Sequence, residues 1–196
     1  MIKPIRYGLL CEDMPQRHFL DAYLNLCFTG RFEKDEDFGW QIHTTTAKEV
    51  ENTLPDALRK GFTKFKLGTL FVGRDADSGD RKKVDSLISK LAGICQSYPQ
   101  AILVVPVQCI EHWLWYLKWR QDNHLSTKNV SFEQFDRRDA KRAVYGGSIK
   151  IDKQLEEVSK LVQSLDVYWL ESRSESFKHF HQQVVTFLNN HKTTQA

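Results

Sequence analysis

The chain has 196 residues, 41% of them hydrophobic, and a formal net charge of +3. That length fits one domain, or one domain with an extension, and the apolar share suffices for a packed core; disorder is expected only in the polar tail Lys192 to Ala196. The charge neither demands nor excludes a nucleic-acid partner. The longest apolar run is too short to span a membrane and the start lacks a signal-peptide pattern, so a soluble, cytoplasmic protein is the expectation.

Ile5 to Cys11 reads as a first strand and ends at Glu12-Asp13. Met14 to Leu26 then reads as a helix. Asp13 is its N-cap, Pro15 sits in the tolerant first turn, and Leu20, Tyr23 and Leu24 have the spacing of a buried face. Arg31 to Asp37 is charged and reads as an exposed loop. Gly39 to Thr46 is β-rich, with Trp40, Ile42 and Thr44 in period two. Ala47 to Phe62 is helical in composition, with Pro55 as a point of break or kink. Leu67 to Gly73 reads as a strand, and a helix follows from Asp80 or Arg81 to Tyr98 with Val84, Leu87, Ile88 and Leu91 on one face. Ala101 to Val107 is apolar throughout, as an inner strand of a parallel sheet would be, and Ile110 to Gln121 is an aromatic-rich helix.

This alternation predicts an α/β fold over residues 1–122: a Rossmann-like, mostly parallel sheet flanked by helices. Beyond it, residues 123–196 read as a helical C-terminal extension packed on the sheet domain. Its helices are Phe132 to Val144, Asp152 to Leu165, and Ser176 to Asn189 capped by Ser174 or Ser176.

The chemistry concentrates in Arg74-Asp75-Ala76-Asp77-Ser78-Gly79-Asp80, three carboxylates directly after an apolar strand. Such acids repel one another unless a cation lies between them, and hard divalent metals take a few carboxylates plus water and phosphate oxygens. The alternative is a solvated acidic turn, since Asp, Ser and Gly are also turn residues. Glu12 falls at another strand end, where open α/β sheets bind ligands. Glu111 opens a helix after the next strand; a helix dipole accounts for an acid there as well as function does. Trp115 and Trp119 share a helix face, expected to be core rather than a stacking platform for bases. Arg81-Lys82-Lys83, Lys118, Arg120 and Arg137-Arg138 with Lys141-Arg142 would neutralise phosphates near a metal centre, or form a solvated face. Cys11, Cys27, Cys95 and Cys109 form no C-x-x-C pair and read as buried reduced thiols, and His179 and His181 read as surface decoration.

An acid after strand one and a D-x-D after a later strand, in an alternating α/β chain, resembles the TOPRIM domain shared by topoisomerases, bacterial primases, OLD-family nucleases and small RNase-type maturation enzymes. The matching residues are Glu12, Asp75 and Asp77; glycine often follows the glutamate in that domain, where this chain has Asp13. Over nearly its whole length the chain is similar to small TOPRIM-like proteins of prokaryotic anti-phage and abortive-infection operons. That similarity lies in Arg74-Asp75-Ala76-Asp77, in Glu111-His112-Trp113-Leu114 after an apolar strand, in Lys141 to Lys150, and in Ser176-Phe177.

The resemblance implies a Mg²⁺- or Mn²⁺-dependent nuclease acting on DNA or RNA beside an ABC- or SMC-like ATPase partner. Glu12, Asp75 and Asp77 would hold the metal, with Asp80 or Glu111 assisting, and Lys141 or Lys150 would stabilise transition-state charge. A topoisomerase is not expected of a chain this short, since it would need separate tyrosine-bearing and gate domains, nor is a primase, since no further template-binding modules are evident. Two other functions stay open: a phosphoacceptor receiver, which needs a Ser or Thr after strand four and a Lys after strand five, and a non-catalytic subunit that docks on an ATPase.

Overall fold

The computed structural model describes residues 3–147 and 150–193. Four strands, β1 (Ile5–Cys11), β2 (Phe32–Lys34), β3 (Thr69–Gly73) and β4 (Ala101–Val104), form one parallel sheet in the order β2-β1-β3-β4. The helices α1 (Met14–Cys27), α2 (Glu36–Gln41), α3 (Ala47–Thr63), α4 (Arg81–Cys95) and α5 (Glu111–Asp122) connect and cover them. The remainder is helical: α6 (Arg137–Tyr145), α7 (Ile151–Gln163), α8 (Val167–Glu171) and α9 (Glu175–Thr193). The α/β class and the helical C-terminal region therefore stand as the sequence predicts. No helix among the described residues is long and apolar enough to cross a membrane.

The sheet is a wall between two apolar layers. One holds α1 and α5 with the later helices, and joins Leu9, Phe19, Tyr23, Trp113, Phe177 and Phe180; the other packs α3 and α4 through Leu54, Leu58, Leu70 and Leu91. Burying each such side chain stabilises the fold by about 1.5–3 kcal/mol. The outer edge of β4 would leave backbone groups unpaired, and α9 covers it. The Gln183 amide accepts from Leu103 N–H at 3.1 Å and donates to Leu103 C=O at 3.0 Å, mimicking a neighbouring strand.

Several elements depart from the sequence-based expectation. The segment read as an exposed loop contains β2, three residues whose backbone pairs with Ile5, Arg6 and Tyr7. A three-residue, charged edge strand has too few side chains to show alternation. Gly39 to Thr46 is not a strand: Asp35 accepts from Phe38 N–H at 2.8 Å and starts α2, whose Trp40 is solvent-exposed. Ile42 and Thr44 are buried, so their alternation reflects an extended segment docked on the end of β1, where Thr44 Oγ1 donates to Cys11 C=O at 2.7 Å. Pro55 does not break α3, because it lies on the exposed face, where water can take the carbonyl it leaves unpaired. The strand expected to start at Leu67 starts at Thr69. The strand expected to reach Val107 stops at Val104, ahead of Pro106.

Phe132 to Val144 is not one helix but a 3₁₀ turn, Phe132–Gln134, followed by α6, which Asp136 caps. The expected tail of disorder is helical as far as Thr193, and residues 194–196 lie outside the described residues, as do 148 and 149 in the lysine-containing segment. His181 is not surface decoration. It is half-buried, its Nδ1 lies 2.6 Å from Tyr23 Oη, and its ring stacks on Phe28 and Phe177. Ser174, not Ser176, caps α9, accepting from Phe177 N–H, while Ser176 accepts from Trp113 Nε1 at 2.8 Å.

Candidate functional site

The chain leaves β1 to form β2 on one side and returns to form β3 on the other, so strand order reverses between β1 and β3. That reversal opens a crevice beyond their carboxyl ends, the position at which open α/β sheets bind ligands. Cys11 pairs with Gly73, and Gly73 with Val104, so the residues after β1, β3 and β4 emerge side by side. Past the strands the second and third segments stay joined. Arg74 N–H donates to Val104 C=O, Ala76 N–H to Pro106 C=O and Asp77 N–H to Gln108 C=O, each at 3.0 Å. Asp77 and Gln108 both adopt left-handed backbone angles, φ 52° and 61°. Asp tolerates that region better than most residues; at Gln108 it is local strain, of a kind found mostly at functional sites.

Glu12 and Asp75 meet across the β1–β3 seam. Glu12 Oε2 accepts from Asp75 N–H at 3.3 Å, and Gln16 bridges the pair: its Oε1 accepts from Glu12 N–H and its Nε2 donates to Asp75 Oδ1, both at 3.1 Å. Gly73 makes this possible, since a Cβ there would lie 2.5 Å from Gln16 Oε1. Asp75 is 1% exposed, and its Oδ2 has no hydrogen-bond partner. Burial, then the charges of Glu111, Glu12 and Asp13, push its carboxyl well above the usual range. Glu12 is raised as well, by burial and by Asp77, against the pull of Arg74.

Asp77 is engaged differently. Arg74 reaches Oδ2 at 2.8 Å, and Arg137 pairs with Oδ1. Arg74 also bonds the Asp75 carbonyl and lies 3.5 Å from Glu12 and 3.3 Å from Glu51. Glu111, at the start of α5 as expected, is 1% exposed, with Oε2 unpartnered.

The residues that face these acids come from one stripe of α6: Arg137, Lys141 and Tyr145, spaced i, i+4, i+8. Arg137 also lies 3.9 Å from Asp75, Lys141 Nζ lies 3.5 Å from Glu111, and Tyr145 Oη donates to Glu111 Oε1 at 3.3 Å. Burial opposes the Lys141 charge, but Glu111 and Asp13 outweigh it and hold the ammonium above its usual range. Burial, then Glu111, push the Tyr145 phenol far up, so it remains a donor. The start of α6 is fixed by Phe135 C=O, which accepts from Gln108 Nε2 at 2.7 Å and from His112 Nε2 at 3.1 Å.

Of the residues singled out from sequence, the structure brings Glu12, Asp75, Asp77, Glu111 and Lys141 to one edge. Asp80 caps α4 by accepting from Lys82 N–H at 2.9 Å, and Lys150 is exposed at the N-cap position of α7. Among the described residues no hydrogen bond or ion pair joins either to the cluster. Sequence reasoning missed Gln16, Arg74 and Tyr145 as site residues and named Arg137 only within a basic group that would neutralise phosphates. Gln16 carried a signal, standing three residues after the helix-capping Asp13, where a Gln reaches back to backbone N–H groups. Trp115 and Trp119 pack on Phe132 and on Trp169 respectively, as core residues.

The donor set, carboxylate oxygens with one buried Asp75 oxygen that makes no hydrogen bond, suits a hard divalent cation. Among the described residues no three His, Cys, Asp or Glu side chains stand together as a ready cage, because Asp77 is turned to Arg74 and Arg137. Compared with protein families, curated proteins and solved structures, the chain has no match in any of the three.

Proposed function

We propose that the chain is a metal-dependent nuclease that hydrolyses phosphodiester bonds in DNA or RNA, working in the cytoplasm as the effector of a prokaryotic anti-phage system with an ABC- or SMC-like ATPase. The observation that carries the nuclease proposal is the meeting of Glu12 and Asp75, with a buried carboxylate oxygen that no hydrogen bond uses, at the strand-order reversal. The system and the partner rest on the sequence resemblance alone.

Glu12, Asp75 and Asp77 would hold Mg²⁺ or Mn²⁺, with Gln16 setting the orientation of the first two. A cation held by these residues would make water a better nucleophile and would offset negative charge on the phosphoryl oxygens. Arg137 and Lys141 then contribute fixed positive charge to the scissile phosphate, the role that donors preorganised toward developing charge play in phosphoryl chemistry. Tyr145 holds Glu111 in place by its hydrogen bond and keeps that acid beside Lys141. A constantly active nuclease would be hazardous, so the isolated chain should have low activity and be activated by the partner, docked on the helical C-terminal region away from α6, where the acidic edge stays free.

Cleavage of plasmid DNA and tRNA, with and without the ATPase, tests this. Wild-type protein should cut only with Mg²⁺ or Mn²⁺. Glu12→Gln, Asp75→Asn and Asp77→Asn should each lose about 10²–10⁴-fold in rate, the scale on which single groups of such a site act. Cleavage unaltered in all three overturns the assignment.

One observation favours a second function, a non-catalytic docking subunit: both Asp77 oxygens are held by arginines. Such a protein would bind the ATPase as tightly with Asp75→Asn as without it and would cut nothing under any condition.

A further inference from the structure

Trp40 is 86% exposed, whereas the chain's other four tryptophans are buried or half-buried. It lines a groove of about 610 Å³ between α1 and α2, together with Met14, Arg17, His18, Gly39 and His43. The groove opens beside the acidic edge. Met14, 45% exposed, is the residue after Asp13, and the segment leading from Trp40 is tied to the end of β1 by Thr44 on Cys11 C=O. Arg17 reinforces that tie, donating to Cys11 C=O at 3.4 Å and to Thr44 C=O at 3.1 Å.

Two features point to a ligand rather than to packing. A flat indole face and a thioether lie in solvent, where they stabilise nothing in the chain itself. Gly39 sits within a helix, where glycine costs stability, yet a Cβ there would meet nothing within 4 Å, so the protein's own packing does not call for it. The charges around the groove balance: Asp21, Asp35 and Glu36 stand against Lys34, Arg6 and Arg17, with Lys34 shared by Asp21 and Glu36. The groove therefore offers a ligand an aromatic face rather than a net positive charge.

We propose that this groove is a nucleobase subsite, in which a base from a single-stranded stretch flanking the cleaved phosphate stacks on Trp40. The inference rests on the nuclease function proposed above and adds to it the substrate class, single-stranded or locally unpaired nucleic acid. A duplex keeps its bases stacked on each other and offers Trp40 no free face, whereas every unpaired base presents one.

Binding of fluorescein-labelled dT15, U15 and a fully paired hairpin, in EDTA so that nothing is cut, tests this alongside a cleavage assay in Mn²⁺. Wild type should bind dT15 or U15 with quenching of tryptophan fluorescence. Trp40→Ala should weaken that binding about tenfold and abolish the quench, Trp40→Phe should keep most of the affinity, and hairpin binding should not change. Single-strand binding by Trp40→Ala equal to wild type overturns the subsite and leaves the nuclease standing if cleavage persists. Trp40-dependent binding without cleavage, in the presence of the ATPase as well, supports the subsite and overturns the nuclease. A chain that neither binds nor cuts any of the three overturns both.

Discussion

Asp75 is the residue on which the acidic edge turns. Its carboxyl is buried with Glu111, Glu12 and Asp13 around it and Arg137 3.9 Å away, so the folded apo protein holds its proton more tightly than the unfolded chain does. A carboxyl raised on folding contributes stability that is complete below its unfolded pKa, near 3.8, and is lost as pH rises through the folded value. At neutral pH the ionised form is therefore a cost to the fold. Asp75→Asn, which keeps an oxygen for Gln16, should raise the melting temperature of the metal-free protein by about 2–4 °C at pH 7, for a gain of about 1 kcal/mol. The difference should shrink as pH falls toward 4. Thermal melts of both proteins between pH 4 and 8 check it, and a lower melting temperature for Asp75→Asn at pH 7 would contradict it. The same group shows what sequence can disclose at this scale. Asp75, Asp77, Glu12 and Glu111 were visible because acids after apolar strands are conspicuous. Gln16 and Tyr145 were not, because an amide or a phenol in a helix acquires its meaning only from the partner the fold brings to it.

At the scale of elements, α6 sets two fixed charges, Arg137 and Lys141, and one neutral donor, Tyr145, on a single stripe facing the carboxylates. The sequence displayed the basic residues but not their direction: its helical span there began at Phe132, five residues early, which shifts the start and the cap away from Asp136. Arg137 competes with any cation for Asp77. Arg137→Gln should therefore tighten Mn²⁺ binding severalfold in isothermal titration. It should also weaken nucleic-acid binding and reduce the salt dependence of that binding by about 0.7–0.9 in log–log slope, one phosphate contact. Weaker Mn²⁺ binding in the variant would mean that Arg137 supports the site rather than competing for it.

The edge of the sheet offers a second test at this scale. Gln183 satisfies both backbone groups of Leu103, so Gln183→Ala leaves them unpaired and should destabilise the fold by about 1–3 kcal/mol in urea denaturation. The parallel sheet itself was legible from β1, β3 and β4, whose apolar runs are long enough to declare themselves. β2 was not, because a strand of three residues takes its identity from the neighbour that hydrogen-bonds it.

At the scale of the molecule, the division at residue 122 marks a change of pattern, not a boundary of stability. Trp113 on α5 is fully buried, and what buries it comes from both sides of that division: Phe19 from α1, and Phe177 and Phe180 from α9. Tyr23 meets the same two phenylalanines, and α7 packs along α1 through Val158, Leu161 and Val162. The functional edge crosses the division as well, since Arg137, Lys141 and Tyr145 belong to the later part and their partners Asp75, Asp77 and Glu111 to the earlier one. A fragment of residues 1–122 would expose the indole of Trp113, the ring of Tyr23 and one flank of α1 together, and would leave the outer edge of β4 without Gln183. Losing the burial of several large side chains at about 1.5–3 kcal/mol each is comparable to the whole margin by which a domain of this size is folded. The fragment should therefore show no cooperative transition in urea and should bind a hydrophobic dye, while the full chain unfolds in a single step by both tryptophan fluorescence and circular dichroism. A fragment that melts cooperatively would establish the sheet as a separate domain and recast the helical region as an attached module.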